Sequence, residues 1–213
     1  MYNPKHFTQT DRSIIVEAMR TLGAAELITF GSSGIEASIA PLLINDGATV
    51  LRGHLARANN QWKHADPSVP VLVTWRGPDA YISPSFYPSK AENGKVVPTW
   101  NYTTVQARGM LTVHDDIEWV EDIVRSLTMN HEARFAHPWS VDDAPREYID
   151  SMLQAIIGIE IQITSIDAKW KLSQNRSADD IEGVIVGLQT QTAKTSREVA
   201  VAVRLAGSSR QRS

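Results

Sequence analysis

Nine consecutive residues hold the densest polar chemistry in the chain: Lys169-Trp170-Lys171-Leu172-Ser173-Gln174-Asn175-Arg176-Ser177. Two ammonium groups and a guanidinium suit a phosphate, and the guanidinium can grip it with two parallel hydrogen bonds. The hydroxyls and amides can address the polar edge of a heterocycle, and the indole offers a plane for stacking. The cluster follows an apolar alternating run, Ile157 to Ile166, which places it at the end of a strand. A solvated strand end is the plainer reading, and the density of polar types weighs against it.

Three further segments mix polar and aromatic types. Gly53 to Lys63 contains His54, Arg57 and Gln61, which helical spacing puts on one face, with Arg57 as the phosphate donor. A solvated surface helix explains that segment equally well. Gly77 to Lys90 carries Tyr81, Ser83, Ser85, Tyr87, Ser89 and Lys90, and Pro78, Pro84 and Pro88 stiffen it. Such a loop presents donors at low entropic cost, although tyrosines that merely cap a core are the commoner case. In Val97 to Val105 a strand would turn Trp100, Tyr102 and Thr104 one way and Thr99, Asn101 and Thr103 the other. That gives one stacking face and one hydrogen-bonding face; an aromatic pair on one strand face is more often core.

Other chemistries are excluded or unsupported. The chain has no cysteine, which rules out disulfides, thiolate catalysis and thiolate-ligated metals. The six histidines show no metal-ligand spacing, and no metal is expected. Gly31-Ser32-Ser33-Gly34 is not a nucleophile elbow, and neither a dinucleotide fingerprint nor a P-loop occurs. No catalytic residue can be named, which favours binding or a reaction whose chemistry a cofactor supplies. The net charge is −3, so any contact with DNA rests on a local patch such as Arg197, Arg204, Arg210 and Arg212. Neither a signal-peptide core nor a membrane-spanning apolar run is present, so a cytoplasmic location without a membrane partner is expected.

The elements that must position these groups follow from periodicity and turn signals. A helix is predicted from Thr10 or Asp11 to Leu22, then strands over Ala25–Phe30, Ile35–Ile44 and Ala48–Arg52, joined by glycine-rich turns. A short helix is predicted over His54–Trp62, and strands over Pro70–Trp75 and Ala80–Ile82 with a Gly77-Pro78-Asp79 turn between them. After a loop from Ser83 to Pro98, long strands are predicted over Thr99–Val113 and Ile156–Lys171. Helices are expected over Ile117–Ala133, Pro145–Ala155, Asp179–Gln189 and Ser196–Arg204. No βαβ alternation appears, so the fold class is mainly β with peripheral helices (α+β), an antiparallel β-barrel. One domain over residues 1–205 and a disordered polar tail over 206–213 complete the expectation.

Read together, the segments resemble a known family. G-H-L-A-R-A-N (53–59), G-P-x-A-Y-I-S-P (77–84), Y-P-S-K (87–90), V-P-T-W-N-Y (97–102) and K-W-K-L-S-Q-N-R (169–176) are similar, in this order, to the PaiB-type FMN-binding negative transcriptional regulators. The opening Met1-Tyr2-x-Pro4-x-His6-Phe7 fits as well, and the resemblance runs over roughly residues 1 to 190. Phe86 stands where the family usually has tryptophan, and Asn60 where it often has proline.

The resemblance implies an antiparallel split β-barrel of the FMN-binding type, a homodimer, and FMN at or near the subunit interface. By motif position it puts Arg57, Lys90 and Lys171 near the FMN phosphate, with Ser173 as a hydroxyl donor. Asn101, Gln174 and Asn175 become candidates for the flavin edge or ribityl chain, Trp100 and Tyr102 for packing on the ring, and His54 for either role. Lys169 and Arg176 are read as solvated neighbours. The function implied is a negative transcriptional regulator or flavin-dependent sensor. The alternative is a flavin-dependent oxidoreductase acting on a small molecule with NAD(P)H. A third reading puts haem or a deazaflavin in the same barrel, with His54 as an axial ligand.

Overall fold

The computed structural model of the chain describes residues 1–210. Strands β1 (Ala25–Gly31), β2 (Gly34–Ala40), β3 (Leu42–Ile44), β4 (Val50–Ala56), β5 (Val71–Ile82), β6 (Thr99–His114) and β7 (Ile156–Lys171) form one sheet in the order β2-β1-β5-β6-β7-β4-β3. Helices are α1 (Arg12–Thr21), α2 (Gln61–His64), α3 (Ser89–Asn93), α4 (Ile117–Glu132), α5 (Arg146–Gln154), α6 (Ala178–Gln189) and α7 (Lys194–Arg210). The fold is thus α+β on an antiparallel sheet, as expected.

Contacts group the residues into two compact units. One comprises Met1–Ile15, Arg76–Val105 and Asp167–Ser213, the other Val16–Trp75 and Gln106–Ile166. In the second unit, β1 pairs with β2 from Ala25↔Ala40 to Gly31↔Gly34, and β4 pairs with β7 from Val50↔Gln162 to Ala56↔Ile156. Asp116 caps α4 by accepting the Trp119 amide at 2.8 Å. Glu121 on α4 receives both Arg146 and Arg125, at 2.7 and 2.8 Å, and these two partners hold its carboxyl down to about 2.

In the first unit Ile82, Leu172, Val184, Leu188, Val199 and Val203 form an apolar core. Phe86 enters through a notch in α6. A Cβ at Gly187 would lie 2.3 Å from the Phe86 ring, and one at Gly183 would lie 2.1 Å from the Phe86 carbonyl oxygen. Two missing side chains one helical turn apart therefore let the Ser83–Tyr87 segment press against the helix.

Three local expectations are corrected. His54 lies within β4 rather than on a helix, and only Gln61–His64 is helical there, so His54, Arg57 and Gln61 share no helix face. The pattern over Leu51, Gly53 and Leu55 is a strand alternation, and ladders on both sides of β4 satisfy its backbone. Gln61 is buried, donating to the carbonyls of Leu27 and Glu36 at 3.0 and 3.2 Å. The expected break at Gly77-Pro78-Asp79 is absent because β5 runs through it, and Pro78 lies beyond the Leu72–Thr74 span that pairs with β1. Helix α7 continues to Arg210, where a tail was expected from 206. Val199, Val203 and Ala206 fall at helical spacing on the core, which carries the helix onward. Residues 211–213 of the expected tail, and with them Arg212, lie outside the described residues.

Candidate functional site

The side-chain alternation of β7 carries on past its last residue, Lys171. Lys171 and Ser173 line one cleft, while Trp170, Leu172 and Gln174 line another of about 340 Å³. The first cleft, about 170 Å³, is walled by Phe7 and Tyr87 and by Val97, Pro98, Thr99 and Asn101; Lys171, Ser173, Asn175 and Arg176 complete it. All of these residues belong to one unit. The N-terminal segment brings Phe7 there by pairing with the strand end: Asn3 Nδ2 donates to the Ala168 carbonyl at 2.9 Å, the Gln9 amide to the same carbonyl at 3.0 Å, and Thr8 bridges Lys169.

Ser173 adopts φ 63°, the left-handed region that L side chains avoid. Backbone held there marks a position that the surroundings over-determine. Its hydroxyl accepts from Asn101 Nδ2 at 2.9 Å; Asn101 is 1% exposed and Ser173 4%. Asn101 comes from β6, where it opens the buried alternation that continues with Thr103, Val105, Ala107 and Gly109. Gln174 clamps the turn from the other face: Oε1 accepts the Leu172 amide at 2.7 Å and Nε2 donates to the Trp170 carbonyl at 2.6 Å.

Lys171 Nζ donates to Thr99 Oγ1 and the Trp100 carbonyl, and an ammonium has a third donor. Burial pushes Lys171 below the usual lysine range, and the charges of Lys169 and Arg176 push it further. Lys169 is 6% exposed; it donates to the Tyr2 carbonyl at 3.1 Å and lies 5.4 Å from the ring centres of both Tyr2 and Tyr102. The Arg176 guanidinium sits 4.6 Å from the Tyr87 ring centre. None of the residues lining the cleft is acidic.

Tyr87 is 2% exposed, and its hydroxyl has no partner at full hydrogen-bonding geometry among the described residues, although the Arg176 and Ser173 side chains lie near it. Burial raises its pKa, Arg176 and Ser173 oppose that rise, and Asp180 adds to it. The Asp180 carboxylate is itself engaged, accepting from the Ser89 amide at 3.1 Å and the Ser89 hydroxyl at 2.8 Å. Crowded cations, a buried hydroxyl without a well-formed hydrogen bond and amide and hydroxyl donors together fit an anion with several oxygens.

The structure brings Asn101, Lys171, Ser173 and Asn175 together at this cleft. Tyr102 stands behind it, its ring centre 5.9 Å from Lys171 Nζ. Trp100 is 53% exposed, with its ring edge-on to Tyr81. Lys90, on α3, reaches Ser85 Oγ at 3.4 Å and does not line the cleft. His54 and Arg57 belong to the other unit. There the His54 Nδ1 is buried without a partner among the described residues, and burial lowers its pKa. Arg57 donates to Asp115 and to the carbonyls of Gln154 and Ile156, which ties α5 to the start of β7. Lys169 is buried rather than solvated, because the N-terminal segment covers it. Arg176 was also read as solvated, and it proves to be a wall of the cleft. Tyr87, for which a core-capping role was the favoured expectation, and Phe7, which was not singled out, both line the cleft; their places in the Y-P-S-K and opening motifs were the available signal.

A family described as “Putative FMN-binding domain” matches residues 1–165. The chain belongs to that family. It is also 32% identical to the protease synthase and sporulation protein PAI 2 of Bacillus subtilis (strain 168), over 94% of this chain and 95% of that one. The family match agrees with FMN as the cofactor, and both matches agree with the resemblance to the PaiB-type proteins. Among solved structures this FMN-binding family member is similar in fold to an FAD and heme binding protein from Mycobacterium smegmatis. That likeness has a TM-score of 0.58 at 14% identity and covers 84% of this chain and 80% of that one. The flavocytochrome Anf3 from Azotobacter vinelandii gives 0.56 at 12% identity, over 83% and 75%. These likenesses support the expected split-barrel class of fold.

Proposed function

We propose that the chain is an FMN-binding protein whose polar cleft holds the FMN phosphate, with Lys171 and Arg176 as the charged donors and Ser173, Asn101 and Asn175 as the neutral ones. The observation that carries this reading is a cleft with two cationic side chains, no acidic wall residue and a buried phenol hydroxyl without a well-formed hydrogen bond among the described residues. When bound, FMN supplies one- and two-electron redox chemistry; the residues of the cleft anchor and orient it.

At about 170 Å³ the cleft is smaller than the roughly 300–1,000 Å³ typical of pockets that enclose a whole small ligand. The flavin ring therefore extends beyond it, and a second copy of the chain covers the ring in a homodimer. The flavin acts as the sensing element of a negative transcriptional regulator in the cytoplasm, in line with the PaiB-type resemblance. No helix among the described residues is long and apolar enough to cross a membrane.

The absorbance spectrum of the freshly purified protein tests the cofactor: flavin bands are expected, and a Soret band in their place would overturn the assignment in favour of haem. A salt-dependent gel shift on upstream DNA tests the regulator; loss of all binding at low salt, with and without FMN, would remove direct repression. The second reading is a flavin-dependent oxidoreductase, favoured by the net charge of −3. Rapid reduction of bound flavin by NAD(P)H would support it, and a flavin that stays oxidised would count against it.

A further inference from the structure

We propose that Tyr87 and Arg176 form an end-stop that reads a terminal phosphomonoester, so that the cleft selects FMN over both riboflavin and FAD. The inference rests on the phosphate reading above and goes further, naming the residues that make the choice. Tyr87 is the only cleft residue whose buried hydroxyl lacks a well-formed hydrogen bond among the described residues. A buried donor without an acceptor is costly, and an acceptor brought by a ligand removes that cost. Riboflavin brings no phosphate oxygen to it.

Size supplies the second half of the argument. At about 170 Å³ the cleft is well below the roughly 300–1,000 Å³ of pockets that enclose a whole small ligand, so it takes a phosphate and the start of its chain rather than a diphosphate with an adenosine. Arg176 closes the end: its guanidinium is stacked 4.6 Å from the Tyr87 ring centre, where it faces the doubly charged terminus that a monoester has and a diester lacks. The pressing of Phe86 into the Gly183–Gly187 notch fixes Tyr87 in place.

The test is Tyr87→Phe, with FMN, riboflavin and FAD titrated into flavin-free protein and melting followed in parallel. The wild type is expected to bind FMN at least tenfold more tightly than riboflavin or FAD. Tyr87→Phe should weaken FMN about tenfold, the loss of one hydrogen bond to a charged group, and leave riboflavin unchanged. The same variant should melt at a higher temperature without flavin, because it removes an unsatisfied buried hydroxyl. Arg176→Gln serves as a second variant that should narrow the gap between FMN and FAD. Unchanged FMN affinity in Tyr87→Phe, or equal loss of FMN and riboflavin, would overturn the role of Tyr87. Wild-type FAD affinity equal to that for FMN would overturn the end-stop. Strong FMN binding that is indifferent to every cleft substitution would instead overturn the placement of the phosphate.

Discussion

Lys171→Met separates a phosphate-binding role from a structural one. Methionine keeps the apolar stem near the Phe7 and Tyr102 rings, whose centres lie 5.9 Å from the ammonium. It removes the donors to Thr99 Oγ1 and the Trp100 carbonyl, and it also removes the repulsion from Lys169 and Arg176. These two effects oppose each other, so the flavin-free protein should change little in stability. FMN should lose at least one charge-assisted hydrogen bond, about 1.5–3 kcal/mol, which is a loss of affinity of about 10- to 150-fold. Riboflavin, without the phosphate, should be unaffected. Calorimetric titration at low salt, with circular dichroism to check the fold, measures all of this. Wild-type FMN affinity in a folded variant, or an equal loss for riboflavin, would refute the reasoning. The pH dependence has a definite sign. Folded Lys171 loses its proton at lower pH than the unfolded chain does, so flavin-free stability rises from the depressed folded value up to the ordinary value of about 10.4. Lys171→Met should lack that rise, and wild-type FMN affinity should fall across the same window as the ammonium is lost.

Further outcomes are expected elsewhere. Gly183→Ala sets a Cβ against the Phe86 carbonyl. Overpacking of about 1–3 kcal/mol should outweigh a helix-propensity gain of about 1 kcal/mol, seen as a lower midpoint in urea and weaker FMN binding. The three atoms nearest a Cβ at Gly187 all belong to the Phe86 ring, so Phe86→Ala should rescue Gly187→Ala in a double-mutant cycle. Glu121→Gln should lower the melting temperature at neutral pH. Because the folded carboxyl is depressed to about 2, its contribution is complete above about 4.5 and fades as pH falls toward 2, where variant and wild type should converge. Asn101→Leu removes the donor to Ser173 and should loosen the strained turn, read as faster amide exchange over Ser173–Arg176 and weaker FMN binding.

Where periodicity was long, sequence alone sufficed. Ile156–Lys171 alternates through most of its length, and the strand has those bounds. The segment after Gly53 was misread because three polar residues there also fit helical spacing, while the deciding fact, a ladder on each side of β4, is a tertiary one. In the polar cluster the parity of Lys171 and Ser173 against Trp170 and Leu172 was readable. The fate of Gln174 was not, since its amide turns back on the local backbone. Nor could spacing reveal that Arg176 would find the ring of Tyr87, a residue of the Ser83–Pro98 segment. Arg57 had the right chemistry for phosphate, but two carbonyls and Asp115 claim its donors, and those partners lie about a hundred and about sixty residues away in sequence.

A crystal structure of the FMN complex tests the central claim most directly. The phosphate is expected within hydrogen-bond reach of Lys171 Nζ, Ser173 Oγ and the Tyr87 hydroxyl, with Arg176 closing the far side. A phosphate bound away from these residues, with the cleft occupied by nothing but solvent, would contradict it.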